Sequence, residues 1–318
     1  MPEARVKLVV TGDDFGYCAR RNRGIVEVFR AGGLSAVSLL VNGAGAKDAA
    51  ELAKRYAIPI GLHANLSEGV PVCAALRGSA SLLDGRGLLR GKAGFREALR
   101  AGLLLMEELR SQVLLFAELL GHLPGHMDGH QHVHVLPGVR EVFARVLADF
   151  GVLYTRVPVE RGWRSCPWLP PHLHLFYAQV EQDALEAAPV FSRHGIRWPD
   201  VYLGLTTMGQ NMSISNVRRA LRLALEPPPC SPCPAPRVLT AELMAHPGYP
   251  SWPAEGGCGA GPDEFSRSAD RRREMETLSD PALLELYAQE GVQLCNTLSG
   301  VVPCSCLSMT YEYYLQPF

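Results

Sequence analysis

Short apolar runs typical of buried strands alternate along this chain with longer segments of helical periodicity. This alternation restricts the fold more than any other feature, because strands separated by helices pair in parallel in one sheet. Strands are predicted near residues 6–10, 36–41, 58–62, 122–128, 153–157, 201–207 and 239–245, with a further candidate at 292–295. Helices are predicted at 20–31, 46–56, 94–119, 138–149, 180–193, 214–225, 268–278 and 281–290. The predicted fold class is therefore α/β, a distorted (β/α) barrel of mostly parallel strands.

The length of 318 residues suits either one barrel with excursions or two small domains. We expect a single domain over residues 1–318, with a Pro-rich loop insertion at about 226–237. Two long Gly- or Pro-bearing excursions, 64–93 and 158–178, are expected on the side of the sheet where functional loops gather.

The charge balance excludes two classes of partner. The chain has 31 basic and 32 acidic residues and a formal net charge of -1, which predicts binding neither to nucleic acid nor to an anionic membrane. The most apolar stretch, 101–120, carries several charges and is predicted to be an amphipathic helix rather than a membrane span. The first residues lack the pattern of a signal peptide, so an intracellular, cytoplasmic location is expected. Oligomeric state is not readable from the sequence.

Two adjacent aspartates, Asp13 and Asp14, stand where the strand-like run at 6–10 breaks after Thr11-Gly12. Neighbouring side chains on a regular strand point to opposite faces, but a break at Gly12 lets both carboxylates enter one cleft. Two such carboxylates can divide the tasks of binding a metal and moving a proton. The alternative is that one of them caps a helix that begins near Ala19.

A cluster of histidines favours a metal site. Between residues 122 and 134 the chain carries His122, His126, Asp128, His130, His132 and His134. Strand periodicity would place the even positions from 126 to 134 on one face, although Gly129 is expected to break the register. Imidazole nitrogen suits borderline divalent metals, and carboxylate oxygen suits harder ones.

Three further polar residues lie at predicted strand ends. His63 ends the apolar run 58–62, and His246 is followed by Pro247-Gly248, which forces a turn directly behind it. Arg156 ends the run 153–157; an arginine there is by default a surface residue, but beside a carboxylate cluster it would keep Asp13 ionised and oriented. Since the carboxyl ends of parallel strands share one face, we expect the metal site there.

These motifs resemble those of the YdjC-like carbohydrate deacetylase family, which includes chitooligosaccharide deacetylases and is related to NodB-type polysaccharide deacetylases. The matching pieces span residues 6 to 250 in the family's order. They are Thr11-Gly12-Asp13-Asp14-Phe15-Gly16, Gly61-Leu62-His63, the run 126–134, Arg156 and His246-Pro247-Gly248.

The resemblance implies a role for each matching residue. Asp14, His63 and His130 would bind a divalent metal ion, and Asp13 would be the catalytic base. His246 would be the general acid, and Arg156 would brace Asp13. The motif leaves His132 open as an alternative to His130. The resemblance favours Mg²⁺, whereas imidazole ligands leave Zn²⁺ possible.

Several neighbouring residues are candidates for supporting roles. Asp128, His132 and His134 could orient the metal ligands. Trp163, Trp168 and Tyr177 could stack on a sugar ring or simply pack within their loop.

The function that the sequence predicts is metal-dependent hydrolysis of N-acetyl groups on amino sugars or short oligosaccharides, so the expected partner is a small acetylated carbohydrate. Two alternatives stay open. One is another metallohydrolase that acts on phosphoesters or other amides. The other is a metal-dependent sugar-binding protein that has lost its catalytic activity.

Overall fold

The computed structural model describes residues 6–78, 82–91, 94–95, 105–226, 238–253, 255–259 and 261–295. The strands are β1 (Val6–Phe15), β2 (Ala36–Leu39), β3 (Ile60–Ala64), β4 (Glu68–Gly69), β5 (Leu89–Arg90), β6 (Met127–Gly129), β7 (Val201–Leu203), β8 (Leu239–Ala245) and β9 (Val292–Leu294). The helices are α1 (Ala19–Arg30), α2 (Ala46–Tyr56), α3 (Leu105–Leu120), α4 (Arg140–Phe150), α5 (Pro171–Arg193), α6 (Ile214–Leu225), α7 (Glu264–Arg267), α8 (Asp270–Leu278) and α9 (Pro281–Gln289). The Pro-rich insertion at 227–237 and the predicted helical stretch at 96–104 lie outside the described residues.

The main sheet is parallel throughout its described pairings and has the order β6-β3-β2-β1-β8-β7, with β9 also pairing with β1. The central strand, β1, pairs with β8 from Val6 to Gly12 and with β2 from Thr11 to Phe15. Strands β4 and β5 form a separate antiparallel pair. The predicted α/β class with mostly parallel strands is confirmed.

The barrel is irregular between β6 and β7, where the prediction of a strand at 153–157 is wrong. This segment forms an isolated bridge between Tyr154 and Arg197, and the Tyr154 carbonyl accepts the N–H of Met127 in β6. Pro158 and Pro199 follow closely on the two sides of the bridge, and neither has an N–H to extend a ladder.

Helix boundaries follow recognisable capping signals. Asp280 accepts the N–H of Ala282 and precedes Pro281 in the first turn of α9, as its sequence indicates. Helix α5 begins at Pro171 rather than near residue 180, so residues 171–178 of the predicted excursion 158–178 are helical. A proline at the first helical position lacks only an N–H that would be unpaired anyway, which explains the earlier start.

The histidine run does not continue β6 as a strand. Residues His130–Val135 form short 3₁₀ turns interrupted by a kink at Gln131 and His132, whose backbones are left-handed with φ values of 54° and 58°. Residues 122–126, also predicted to be extended strand, precede β6 outside any strand. The even-numbered histidines therefore do not share one face of a strand.

The core lies between the parallel sheet and the surrounding helices. Leu8 and Val10 of β1 are fully buried and belong to one large apolar cluster that also includes residues of α1, α2, α3 and α4. Helix α1 can approach the loop after β8 closely because Gly24 faces Gly248 across that contact. None of the helices in the described part of the chain combines the length and apolar character needed to cross a bilayer.

Candidate metal centre and catalytic cleft

The two aspartates lie at the carboxyl end of β1, where the register with β2 shifts between Gly12 and Phe15. Both side chains are about 1% exposed and both line one cleft. Asp14 has a φ of 62°, in the left-handed region that non-glycine residues rarely adopt. Cys18, rather than either aspartate, caps α1. The irregular end of β1 thus brings the two carboxylates into the same cleft.

Asp14, His63 and His130 place three ligand atoms in a compact triangle. Asp14 Oδ1 lies 3.6 Å from Nε2 of His63 and 3.2 Å from Nδ1 of His130, and these two nitrogens are 3.3 Å apart. Donors that share one ion at about 2.1 Å are separated by roughly 3.0–3.4 Å in octahedral or tetrahedral geometry. The triangle therefore fits one divalent cation, and this buried cluster could hold a metal ion.

Two further observations support this fit. Asp14 Oδ1 is buried and has no hydrogen-bond partner, as expected of an atom that faces a cation. His63 Nδ1 lies 2.6 Å from Asp128 Oδ1, so the ring donates to this carboxylate and keeps the lone pair of Nε2 for the triangle. The register between β3 and β6 sets this contact, because His63 and Asp128 are paired residues.

The electrostatics of the triangle favour a positive charge inside it. Desolvation opposes ionisation of Asp14, but Arg271 and His130 outweigh it and hold the pKa of Asp14 well below its usual value. Desolvation lowers the pKa of His130, but Glu68 and Asp14 outweigh it and raise the pKa to about 10. Glu68 is a half-buried residue 3.5 Å from His130 Nε2, and it also accepts a hydrogen bond from Gln131.

Arg156 connects three buried carboxylates. Its Nη2 lies 2.9 Å from Asp13 Oδ1, 2.9 Å from Asp128 Oδ2 and 2.8 Å from Glu242 Oε1. Burial alone would lower the pKa of Arg156, but Asp128, Asp13 and Glu242 raise it well above its usual value. Burial raises the pKa of Glu242. The Arg156 side chain is thus buried among three carboxylates and is not a surface group.

His246 follows β8 and lines the same cleft. The backbone N–H of His246 donates to the Glu274 carboxylate at 2.5 Å. The imidazole ring packs edge-on against Phe265, with ring centroids 5.7 Å apart. Burial, together with the neighbouring guanidinium of Arg271, lowers the pKa of His246 to about 3, so the imidazole is neutral at rest. Nδ1 is buried without a hydrogen-bond partner.

The cleft has a volume of about 220 Å³. Polar groups lie at its base, and apolar side chains form much of its wall. The apolar lining comprises Phe176, Leu205, Met208, Met244 and Phe265. Such a combination suits a small polar ligand that carries an apolar group.

Two further histidines of the run 126–134 were candidates for supporting roles, and they lie in different places. His132 lines the cleft, and the centre of its ring lies 6.3 Å from that of Tyr202. The histidine that belongs to the ligand triangle is His130. His134 lies in the core: its Nε2 is 3.0 Å from the carbonyl oxygen of Arg156, and desolvation lowers its pKa to about 4.

The three aromatic residues of the second excursion pack behind the cleft wall. Trp163 and Tyr177 are buried in an apolar cluster, and Trp168 packs against it and donates to the carbonyl of Thr206. Packing within their segment is therefore their role here, and Phe176 faces the cleft instead.

Three residues of the site were missed from the sequence: Glu68, Glu242 and Arg271. Glu242 carried a usable signal, because a glutamate inside an otherwise apolar strand is rarely buried without a partner. Arg271 belongs to the run Arg271-Arg272-Arg273, and such a run among acidic residues is typical of a solvated helix face. That interpretation is wrong for Arg271, which is about 2% exposed and donates to Asp14 at 2.7 Å.

Comparison with known proteins places the chain in a family. Residues 7–289 match the family described as YdjC-like protein. A carbohydrate deacetylase from Danio rerio is 61% identical over 309 residues, covering 93% of this chain and 98% of that relative. A human protein with the same name is 55% identical over 328 residues, covering 100% and 99%. A chitooligosaccharide deacetylase from Serratia marcescens is 40% identical over 137 residues, covering 42% and 52%.

A solved structure from Enterococcus faecalis V583, whose description refers to cellobiose-phosphate cleavage, has the same fold. It aligns with a TM-score of 0.66 at 21% identity, covering 93% of this chain and 99% of that one. The prediction of an enzyme is confirmed by the deacetylase relatives, which match nearly the whole chain. With a family match that spans most of its length, the chain belongs to the YdjC-like protein family.

Proposed function

We propose that this chain is a metal-dependent hydrolase that removes N-acetyl groups from acetylated amino sugars or short oligosaccharides such as chitooligosaccharides. The observation that carries the proposal is the triangle of Asp14, His63 and His130, with the carboxylate of Asp13 beside it. The names of the relatives support the deacetylase class and a carbohydrate substrate.

In this proposal Asp14, His63 and His130 hold the ion. A bound divalent cation would supply Lewis acidity, polarising the acetamide carbonyl and acidifying water. The donor set of two imidazoles and one carboxylate is compatible with Zn²⁺ as well as with the Mg²⁺ that the family resemblance favours.

Asp13 acts as the base that takes a proton from the attacking water. Arg156 donates to both of its oxygens, which orients the carboxylate before the reaction begins. Each oxygen retains a further lone pair for a proton. Asp13 Oδ2 lies 3.8 Å from His63 Nε2, so the base stands directly beside the proposed ligands.

His246 delivers a proton to the amine as the amide C–N bond breaks. Because its ring is neutral at rest, the proton taken up by Asp13 must be relayed to it during the reaction. An imidazolium whose pKa is lowered to about 3 is a strong proton donor to a departing nitrogen.

The alternatives have less support. A second cluster, Asp13, His63 and Asp128, shares His63 with the first, and Arg156 already neutralises both of its carboxylates. This arrangement does not favour the two-ion chemistry common in phosphoester hydrolysis. A binding protein without activity would need neither Asp13 nor His246 in the cleft.

The test is acetate release from diacetylchitobiose by purified protein, before and after chelation, with single divalent metals restored. We expect release that depends on a metal and disappears in Asp13→Asn. Metal binding without acetate release from any acetylated amino sugar would contradict the proposal. Phosphodiester cleavage by the same metal-loaded protein would then favour the other hydrolase class.

A further inference from the structure

Arg271 is a buried arginine of the cleft wall to which the proposed reaction assigns no role. Its Nη2 lies 2.7 Å from Oδ2 of Asp14. The other carboxylate oxygen, Oδ1, is the one that faces His63 and His130. The two oxygens of Asp14 are therefore divided between a guanidinium and the metal triangle.

Arg271 is held in this position from several sides. Nη2 also donates to the hydroxyl of Ser266 at 3.3 Å, and Nη1 donates to the carbonyl of His246 at 3.4 Å. The guanidinium carbon lies 4.2 Å from the centre of the Phe265 ring. Such a multiply anchored planar group keeps its orientation, which a single flexible contact would not ensure.

Among the described residues, Arg271 is the cation with a nitrogen at hydrogen-bonding distance from Oδ2 of Asp14. A second buried cation, Arg21, has its Nη1 at 3.9 Å from the same oxygen, which is an ion-pair distance but too long for a hydrogen bond. Without Arg271, Oδ2 would lose its hydrogen-bond donor beside the metal triangle.

A carboxylate can bind a metal through one oxygen or through both. We infer that Arg271 occupies Oδ2 of Asp14 and so restricts this ligand to one oxygen, which leaves room on the ion for water and substrate. Catalytic metal sites require such an open position, whereas structural sites are closed by protein ligands. Arg271 is thus a positioning residue that acts through Asp14, and the inference rests on the proposed metal site.

The inference gives an unusual expectation for Arg271→Met. Loss of a residue that only holds a metal ligand in place weakens metal binding. Loss of the Arg271 guanidinium instead frees the second oxygen of Asp14 and removes a positive charge beside the ion. Isothermal titration calorimetry with Mn²⁺ should therefore show binding at least as tight as in the wild type. Turnover on an acetylated amino sugar should fall by roughly 10- to 100-fold, since the open position is lost.

Arg272→Met is the matched control. Arg272 is the next residue of α8, is exposed and pairs at the surface with Glu276 at 2.8 Å. The Arg272→Met variant should have the same Mn²⁺ affinity and the same turnover as the wild type. Thermal melting establishes that each variant is folded.

Arg271→Lys keeps a cationic donor for Oδ2 of Asp14, although a single nitrogen lacks the planar geometry of the guanidinium. It should bind Mn²⁺ like the wild type and retain more turnover than Arg271→Met. If the methionine variant does not fold, Arg271→Gln, which removes the charge but stays polar, takes its place with the same expectations. Mn²⁺ affinity weakened by about 10-fold or more in a folded variant, a change of about 1.4 kcal/mol, would overturn the inference. Unchanged turnover in a folded variant without the charge would overturn it as well. Failure of the wild type to bind any divalent metal would instead refute the proposed metal site.

Discussion

Asp13 and Arg156 form a two-point ion pair at the base of the cleft. Nη1 of Arg156 lies 2.6 Å from Oδ2 of Asp13, and Nη2 lies 2.9 Å from Oδ1, with both side chains about 1% exposed. Asp14, the next residue, is paired instead with Arg271. Two adjacent carboxylates therefore have separate cationic partners, which suits them for separate tasks.

Replacing Asp13 with asparagine tests its role as base. Asparagine has almost the same shape but cannot accept a proton, so turnover should fall on the order of 10²–10⁴-fold. Mn²⁺ affinity, measured by calorimetry, should change much less, because Asp13 is not part of the ligand triangle. Asp14→Asn is the informative comparison, since it should reduce both metal affinity and turnover. Equal loss of metal affinity in the two variants would contradict the separate assignments.

Asp128→Asn tests how His63 is oriented. Asp128 Oδ1 accepts from His63 Nδ1 at 2.6 Å and from Ser38 Oγ at 2.7 Å. Both bonds go to Oδ1, while Oδ2 lies 2.9 Å from Nη2 of Arg156, which is itself a donor. An asparagine therefore has to turn its NH₂ group either against Arg156 or toward His63 and Ser38, and in the second case His63 Nδ1 loses its acceptor and the ring its fixed tautomer. Metal affinity should fall by roughly 10- to 100-fold. Calorimetry provides the measurement, with Asp84→Asn, in an exposed ion pair with Arg86, as the control. Unchanged metal affinity in Asp128→Asn would show that this contact does not orient His63.

Arg156→Met tests the buried charge network. Removing the guanidinium leaves Asp13, Asp128 and Glu242 close together without their shared cation. Breaking a buried ion pair by removing one partner costs about 3–5 kcal/mol. Urea denaturation should therefore show a large loss in the free energy of unfolding. The exposed Arg110, paired with Asp149, provides the control variant Arg110→Met. A loss as small as that of the control would mean that the three carboxylates are neutralised in another way.

Glu160 makes stability depend on pH. Its carboxylate accepts from the N–H groups of Leu205 and Thr206 at 2.7 and 3.0 Å, and burial raises its pKa from 4.5 to about 7. Between these two pH values the folded protein holds a proton that the unfolded chain has released. This group's contribution to the free energy of unfolding is therefore fully present below pH 4.5 and is lost as the pH rises through 7.

Glu160→Gln should remove this dependence while keeping the hydrogen bonds. The amide oxygen can accept from both N–H groups, and its NH₂ can donate to the Thr206 hydroxyl, which currently donates to Oε1. Chemical denaturation at pH 8 should show the variant to be more stable than wild type, by up to about 3 kcal/mol. Glu51→Gln, at an exposed position, should follow the wild type. Parallel stability curves for Glu160→Gln and wild type would contradict the expectation.

Most of the proposed site was predictable because its residues carry local signals. Asp13, Asp14, His63 and His246 each follow an apolar run, and the carboxyl ends of parallel strands meet at one edge. His130 was predicted as the ligand, with His132 left open as an alternative. The choice between them depends on the backbone after Gly129, where positive φ values at Gln131 and His132 turn the chain out of the strand.

The sequence by itself determined the α/β order, the positions of most elements and the strand ends that carry the polar residues, because apolar periodicity and capping are short-range properties. Only the tertiary structure decided that Arg271 and Glu242 belong to the cleft network and that residues 153–157 form a bridge rather than a strand. Arg271 is separated from Asp14 by 257 residues. A charged residue on a helix has the same local pattern whether it is solvated or paired inside the protein, so only the folded chain distinguishes the two.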